Sequence, residues 1–117
     1  MLSFSSRQRY FLYRGATDMR KSFDGLSGLV RRHLSHPLLS GDVFIFVNRR
    51  RDRIKLLMWD QTGFALYYKR LEAGTFELPL TKAEETSLEL RWSELVLLLE
   101  GIEMSSVKRR KRYEKSA

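Results

Sequence analysis

Arg49, Arg50, Arg51 and Arg53, with Asn48 ahead of them and Asp52 among them, are the residues of this chain best suited to a chemical task. Apolar strand patterns run into this stretch from Phe44 and continue out of it through Lys55. Two short strands joined by so few residues pair as a hairpin, which gathers the guanidinium groups on one protruding tip. Arginine presents a planar fork of donors matched to phosphate oxygens, so such a tip suits a polyanion. A solubilising turn is the plain alternative, with Asp52 able to pair part of the charge internally.

Other chemistries find less support. The chain has no cysteine, so thiolate catalysis, disulfides and thiolate metal sites are excluded. His33 and His36 sit together at the end of one predicted helix, and no serine lies in a nucleophile-elbow context. A zinc site needs more ligands at better spacing. Asp18, Asp24, Asp60 and Glu72 lie near the ends of elements, where two of them could share a magnesium ion for phosphodiester chemistry. Each also has a local role. Asp18 and Asp24 suit the first turn of a helix, Asp60 opens a turn, and Glu72 can pair with Lys69 or Arg70 across a bend. Nothing in the spacing brings them to one point, so the expectation is a non-enzymatic protein without catalytic residues, metal or cofactor.

Nucleic-acid binding gathers more residues. Beside Arg49, Arg50, Arg51, Arg53 and Lys55, Arg20 and Lys21 open a helix, Lys69 and Arg70 end a strand, and Lys108, Arg109, Arg110, Lys111 and Arg112 form a basic run near the C-terminus. Tyr67 and Tyr68 adjoin Lys69, so one ring could stack on an unpaired base while the other joins the core. If about six cations reach phosphates, binding to duplex DNA should weaken with a log-log salt slope near −5. No helix-turn-helix or zinc-finger pattern is present to read bases, which predicts weak sequence selectivity.

The elements that must position these groups follow from hydrophobic period and turn chemistry. Residues 9–13 favour a strand that Gly15 ends, and Thr17 or Ser22 caps a helix carrying Phe23, Leu26, Leu29, Val30, His33 and Leu34 at helical spacing. Gly25 and Gly28 within it imply close packing against the backbone. Strands are predicted at Val43–Val47, Arg53–Trp59, Phe64–Arg70 and residues 75–78, with connections too short for anything but antiparallel neighbours. In the second of these, Ile54, Leu56 and Met58 share one face and Lys55, Leu57 and Trp59 the other. One face takes the helix; the other is covered by the chain ends or left as a contact surface, which leaves a homo-oligomer open. An acidic stretch follows, and then an amphipathic helix with Trp92, Leu95, Val96, Leu98, Leu99 and Ile102 on its stripe, capped by Ser93 or a residue just before it, with Gly101 near its end. Most of that stripe is core, and its breadth leaves Trp92, Leu95 and Leu99 as a partner-binding option.

The expected fold is therefore α+β, an antiparallel meander of about four to five strands packed with two helices. One domain spans residues 1–104, and a flexible, disordered basic tail spans 105–117. At 117 residues and 43% hydrophobic content, the chain can bury one core but not two. It has neither a secretory segment nor an apolar run long enough for a bilayer, which makes a cytoplasmic, membrane-free protein the expectation. The net charge of +8 is unevenly spread. Residues 1–70 hold 14 Lys+Arg against 5 Asp+Glu, residues 71–107 hold 2 against 8, and residues 108–117 hold 6 against 1. A basic body and a basic tail thus flank an acidic segment suited to a basic partner or to the chain's own tail.

The blocks from Thr17 to Leu26 (TDMRKSFDGL) and from Asn48 to Lys55 (NRRRDRIK), then Trp59-Asp60, Tyr68 to Glu72 with Gly74 and Phe76, and Leu97 to Ile102, resemble the small second-reading-frame protein of the bacterial insertion sequence sixty-six group. The similarity runs in unbroken order from about Tyr10 to Ile102. The resemblance implies an accessory protein encoded beside a separate, larger transposase, assisting movement of the element without established catalysis of its own. Joined to the charge pattern, it makes DNA at the element ends and the transposase of the same element the expected partners. The alternative is an interaction module that binds the transposase or a host factor without touching DNA.

Overall fold

The computed structural model describes residues 4–79 and 85–101; the basic tail, including Lys108 to Arg112, lies outside the described residues. The elements are β1 (Tyr10–Ala16), α1 (Phe23–His33), β2 (Val43–Val47), β3 (Arg53–Trp59), β4 (Phe64–Arg70), β5 (Ser87–Leu90) and α2 (Trp92–Glu100). The five strands form one sheet in the order β4-β3-β2-β1-β5. The meander expected from the short connections is β2-β3-β4, with Val47 opposite Ile54 beside the arginine loop and Trp59 opposite Phe64 at the next turn. β1 instead runs parallel to β2, Phe11 beside Phe44 and Leu12 beside Ile45, because the connection between them is long enough to carry a crossover helix.

One strand expectation is corrected. Residues 75–78 form no strand. That segment crosses beneath the arginine loop, where the Phe76 N–H donates to the Arg51 carbonyl at 2.6 Å and the ring is buried in the core. The fifth strand is β5, drawn from the acidic stretch and paired antiparallel to β1 with Tyr10 opposite Leu90. Its Glu89 carboxylate receives two hydrogen bonds from Arg9 at 2.8 and 2.9 Å, a contact between residues far apart in sequence.

Strand alternation sends two apolar sets to opposite faces. On one face Phe11, Phe44, Phe46 and Leu57 pack against Leu26, Leu29, Val30 and Leu34 of α1 and the turn after it. On the other, Tyr10, Leu12, Val43, Ile45, Ile54, Leu56 and Met58 pack with Phe76 and with Leu95 and Leu98 of α2. The sheet is thus covered on both sides, by the crossover helix and by the chain's later segments.

Ser22 occupies the cap position of α1, without a side-chain hydrogen bond, and Asp24 lies in the first turn. Thr17, the other expected cap, instead ties its N–H to the Val47 carbonyl at 2.9 Å. The close neighbours of Gly25 and Gly28 are the Lys21 and Arg32 side chains rather than another element. Arg91 precedes α2 as its cap residue, its N–H bonded to the Glu94 carboxylate at 2.7 Å. Gly101 closes the helix in the left-handed region at φ 76°. No helix among the described residues is long and apolar enough to cross a membrane.

Candidate nucleic-acid interface

The loop between β2 and β3 is built from a sequence that folds on itself. Asn48 accepts the Arg51 N–H on its carbonyl at 3.0 Å, closing a β-turn. Its side-chain oxygen takes the N–H groups of Asp52 and Arg53 at 3.1 and 3.0 Å, and its amide donates to the Asp52 carboxylate at 2.8 Å. This is the side chain-to-backbone chemistry that favours Asn at turn starts. Asp52 is consequently tied to Asn48 rather than to an arginine, and the Asn48 hydrogen bond is the main reason its carboxyl lies below its ordinary range. Behind the loop, the Leu71 N–H reaches the Asp52 carbonyl at 2.8 Å, beside the Phe76 contact already described. The tip is therefore buttressed from beneath. Arg51 sits at φ 62°, a left-handed conformation that costs a residue with a Cβ about 1–2 kcal/mol.

Arg49, Arg50 and Arg51 are exposed and Arg53 is half-buried. None of the four side chains makes a hydrogen bond or an ion pair among the described residues. Across a hollow of about 440 Å³ lined by Thr17, Met19, Arg49, Arg50 and Arg53 stands the segment that leads into α1, with Asp18 and Arg20 on its rim. Arg20 is exposed but bound to Asp18 at 2.7 Å. Its guanidinium holds the Asp18 carboxyl down to about 2. Lys21 is half-buried at the same helix start.

Arg53 also faces the next strand. It lies directly opposite Arg70 in the β3-β4 register, and the two line a second hollow of about 320 Å³ with Tyr68 and Glu72. Like charges directly opposite one another weaken a sheet. Glu72 reaches Arg70 at 3.1 Å, in solvent, whereas Arg53 has no such partner among the described residues. Tyr68 is half-exposed at 49%, while Tyr67 turns to the other face and packs against the core; the expected division between the two tyrosines is the one observed.

Three expected site residues are placed elsewhere. Lys55 is only 5% exposed. Its ammonium donates to the carbonyls of Met19 and Lys21 at 2.8 and 2.7 Å and lies 4.5 Å from the centre of the Tyr68 ring. The period that places it beside Leu57 points it under the start of α1, so it pins that segment to the sheet and is not a surface cation. Lys69 points to the opposite face and donates to the Leu99 carbonyl at 2.6 Å, where a cation suits a helix C-terminus. Leu95 is fully buried against the sheet, which removes it from a partner surface. Leu99 packs partly against the same core. Trp92 is 37% exposed with its ring 5.8 Å from that of Tyr10.

The other titratable groups are scattered. Asp60 lies in the turn beyond Trp59, about 20 Å along β3 from Arg53 at the usual rise per residue. Among the described residues no three His, Asp or Glu side chains gather as a metal site. His36 stacks on Phe11 at 3.7 Å and His33 on Tyr13 at 5.4 Å. The contribution least visible in the sequence is Thr17, a residue only 4% exposed that lines the first hollow and whose buried hydroxyl has no hydrogen-bond partner among the described residues. Asn48 was signalled by its position at the turn start, though its four-way bonding was not.

Two relatives are similar to the chain over most of its length. The chain is 36% identical to the uncharacterized protein y4jC of Sinorhizobium fredii over 93 residues, 80% of this chain and 78% of the relative. It is 33% identical to the uncharacterized protein y4hO of the same organism over 103 residues, 88% of each. No solved structure matches the chain. The family model described as IS66 Orf2 like protein matches residues 8–109, covering both helices, all five strands and the arginine loop. The chain therefore belongs to the IS66 Orf2-like family, the accessory proteins of that group of insertion sequences.

Proposed function

We propose that this protein is a non-enzymatic accessory factor of transposition that holds DNA at the ends of its element, leaving strand chemistry to the separate transposase. The observation that carries the reading is the buttressed loop of Arg49, Arg50, Arg51 and Arg53, whose guanidinium groups have no ion-pair partner among the described residues. Arg53 is moreover held opposite Arg70. A surface built only for solubility gains nothing from this arrangement, whereas phosphate relieves the repulsion and fills the arginine forks.

Replacing Arg49, Arg50, Arg51 and Arg53 together by Ala tests the reading by fluorescence anisotropy on element-end DNA across a salt series. Each phosphate contact contributes about 0.9 to the log-log slope, so the slope should become shallower by roughly 3 to 4 while the thermal melt stays close to the parent. Unchanged affinity and slope would remove the loop as the DNA contact.

A further inference from the structure

Tyr68 and the two arginines beside it form an arrangement that phosphate contact alone does not explain. The ring stands on the face of the edge strand β4, two residues from Arg70 and across from Lys55 in the register. The Lys55 ammonium lies against the ring at 4.5 Å and is itself held by two carbonyls. A buried, anchored cation thus fixes one side of an aromatic ring that remains half-exposed to solvent. Arg53, Arg70 and Glu72 wall the hollow in front of it. Arg53 also lines the neighbouring hollow, together with Arg49 and Arg50.

We infer that this face takes an unpaired DNA strand, with one base stacked on Tyr68 and the flanking phosphates held by Arg53, Arg70 and the adjoining hollow. The inference rests on the DNA-binding reading above and names its substrate class. In a duplex the base faces are already stacked, so a protein ring on a flat sheet reaches only backbone and groove edges. An unpaired base offers its π-face to any aromatic platform with arginine on its flanks, whatever its identity. Selectivity should therefore be for strand state rather than for sequence.

The test measures anisotropy of a labelled single-stranded oligonucleotide and of the same sequence as a duplex, for the parent, Tyr68→Ala, Tyr68→Leu and Tyr68→Phe. Leu keeps an apolar cover over Lys55, and Phe keeps the ring. Tyr68→Ala and Tyr68→Leu should weaken single-strand binding about tenfold and leave duplex binding within about twofold, with Tyr68→Phe close to the parent. A 2-aminopurine base in the oligonucleotide should be quenched by the parent and by Tyr68→Phe and not by Tyr68→Leu. Equal losses on both DNAs, or none on either, would overturn the stacking role while the DNA-binding reading stands. Absence of binding to either DNA by the parent protein at low salt would end both.

Discussion

Lys55→Met separates a structural lysine from a phosphate-binding one. The parent ammonium makes two short charge-assisted hydrogen bonds, at 2.8 and 2.7 Å, to the carbonyls of Met19 and Lys21, and packs on the Tyr68 ring. Methionine fills the stem's volume but leaves both acceptors without their donor. Each orphaned carbonyl costs about 1–3 kcal/mol where water cannot replace the donor. These acceptors are partly buried, so water recovers some of that, and removing an ammonium from the interior recovers part of its desolvation cost. The net expectation is a loss of about 2–3 kcal/mol. With a urea m-value in the usual range for a small domain, the midpoint should fall by about 1 M or more. Amide exchange should quicken over residues 17–22, which Lys55 ties to the sheet. DNA affinity measured well below the midpoint should keep the parent salt slope, because no surface cation has been lost. A variant as stable as the parent with a slope shallower by about 1 would refute the reasoning and return Lys55 to the contact surface.

Two further outcomes follow from the same geometry. Arg51→Gly relieves a left-handed residue at φ 62° and should raise stability by about 1 kcal/mol in urea unfolding, while weakening DNA binding modestly through the lost charge. Asp18, Asp52 and Glu89 all have carboxyls held below their ordinary values in the folded chain, by Arg20, Asn48 and Arg9 respectively. Folded groups that bind protons less readily than the unfolded chain contribute stability above their unfolded values, and that contribution is lost as pH falls. Unfolding midpoints should therefore be level above about pH 5 and decline toward pH 2, with Asp18→Asn flattening the lowest part of the decline.

How much of this was legible beforehand depends on the range of the interactions concerned. The sequence by itself determined the family, the uneven charge, α1, the three strands β2 to β4 and the arginine loop between the first two, because apolar period, short connections and turn residues act over a few positions. It also divided Tyr67 from Tyr68, since alternation sends neighbours to opposite faces. Tertiary structure alone decided which face was covered and by what. Lys55 looked like a surface cation until the segment leading into α1 was laid over it, and Lys69 until the end of α2 met it. β5 has only four residues and follows an acidic stretch, so it is the open edge of β1 that makes it a strand, while residues 75–78 carry a strand-like pattern that the underside of the arginine loop claims instead. Local pattern sets which way a side chain points; burial and pairing depend on elements distant in sequence, and those tied Lys55 and Lys69 to backbone carbonyls while leaving Arg49, Arg50 and Arg53 around one hollow.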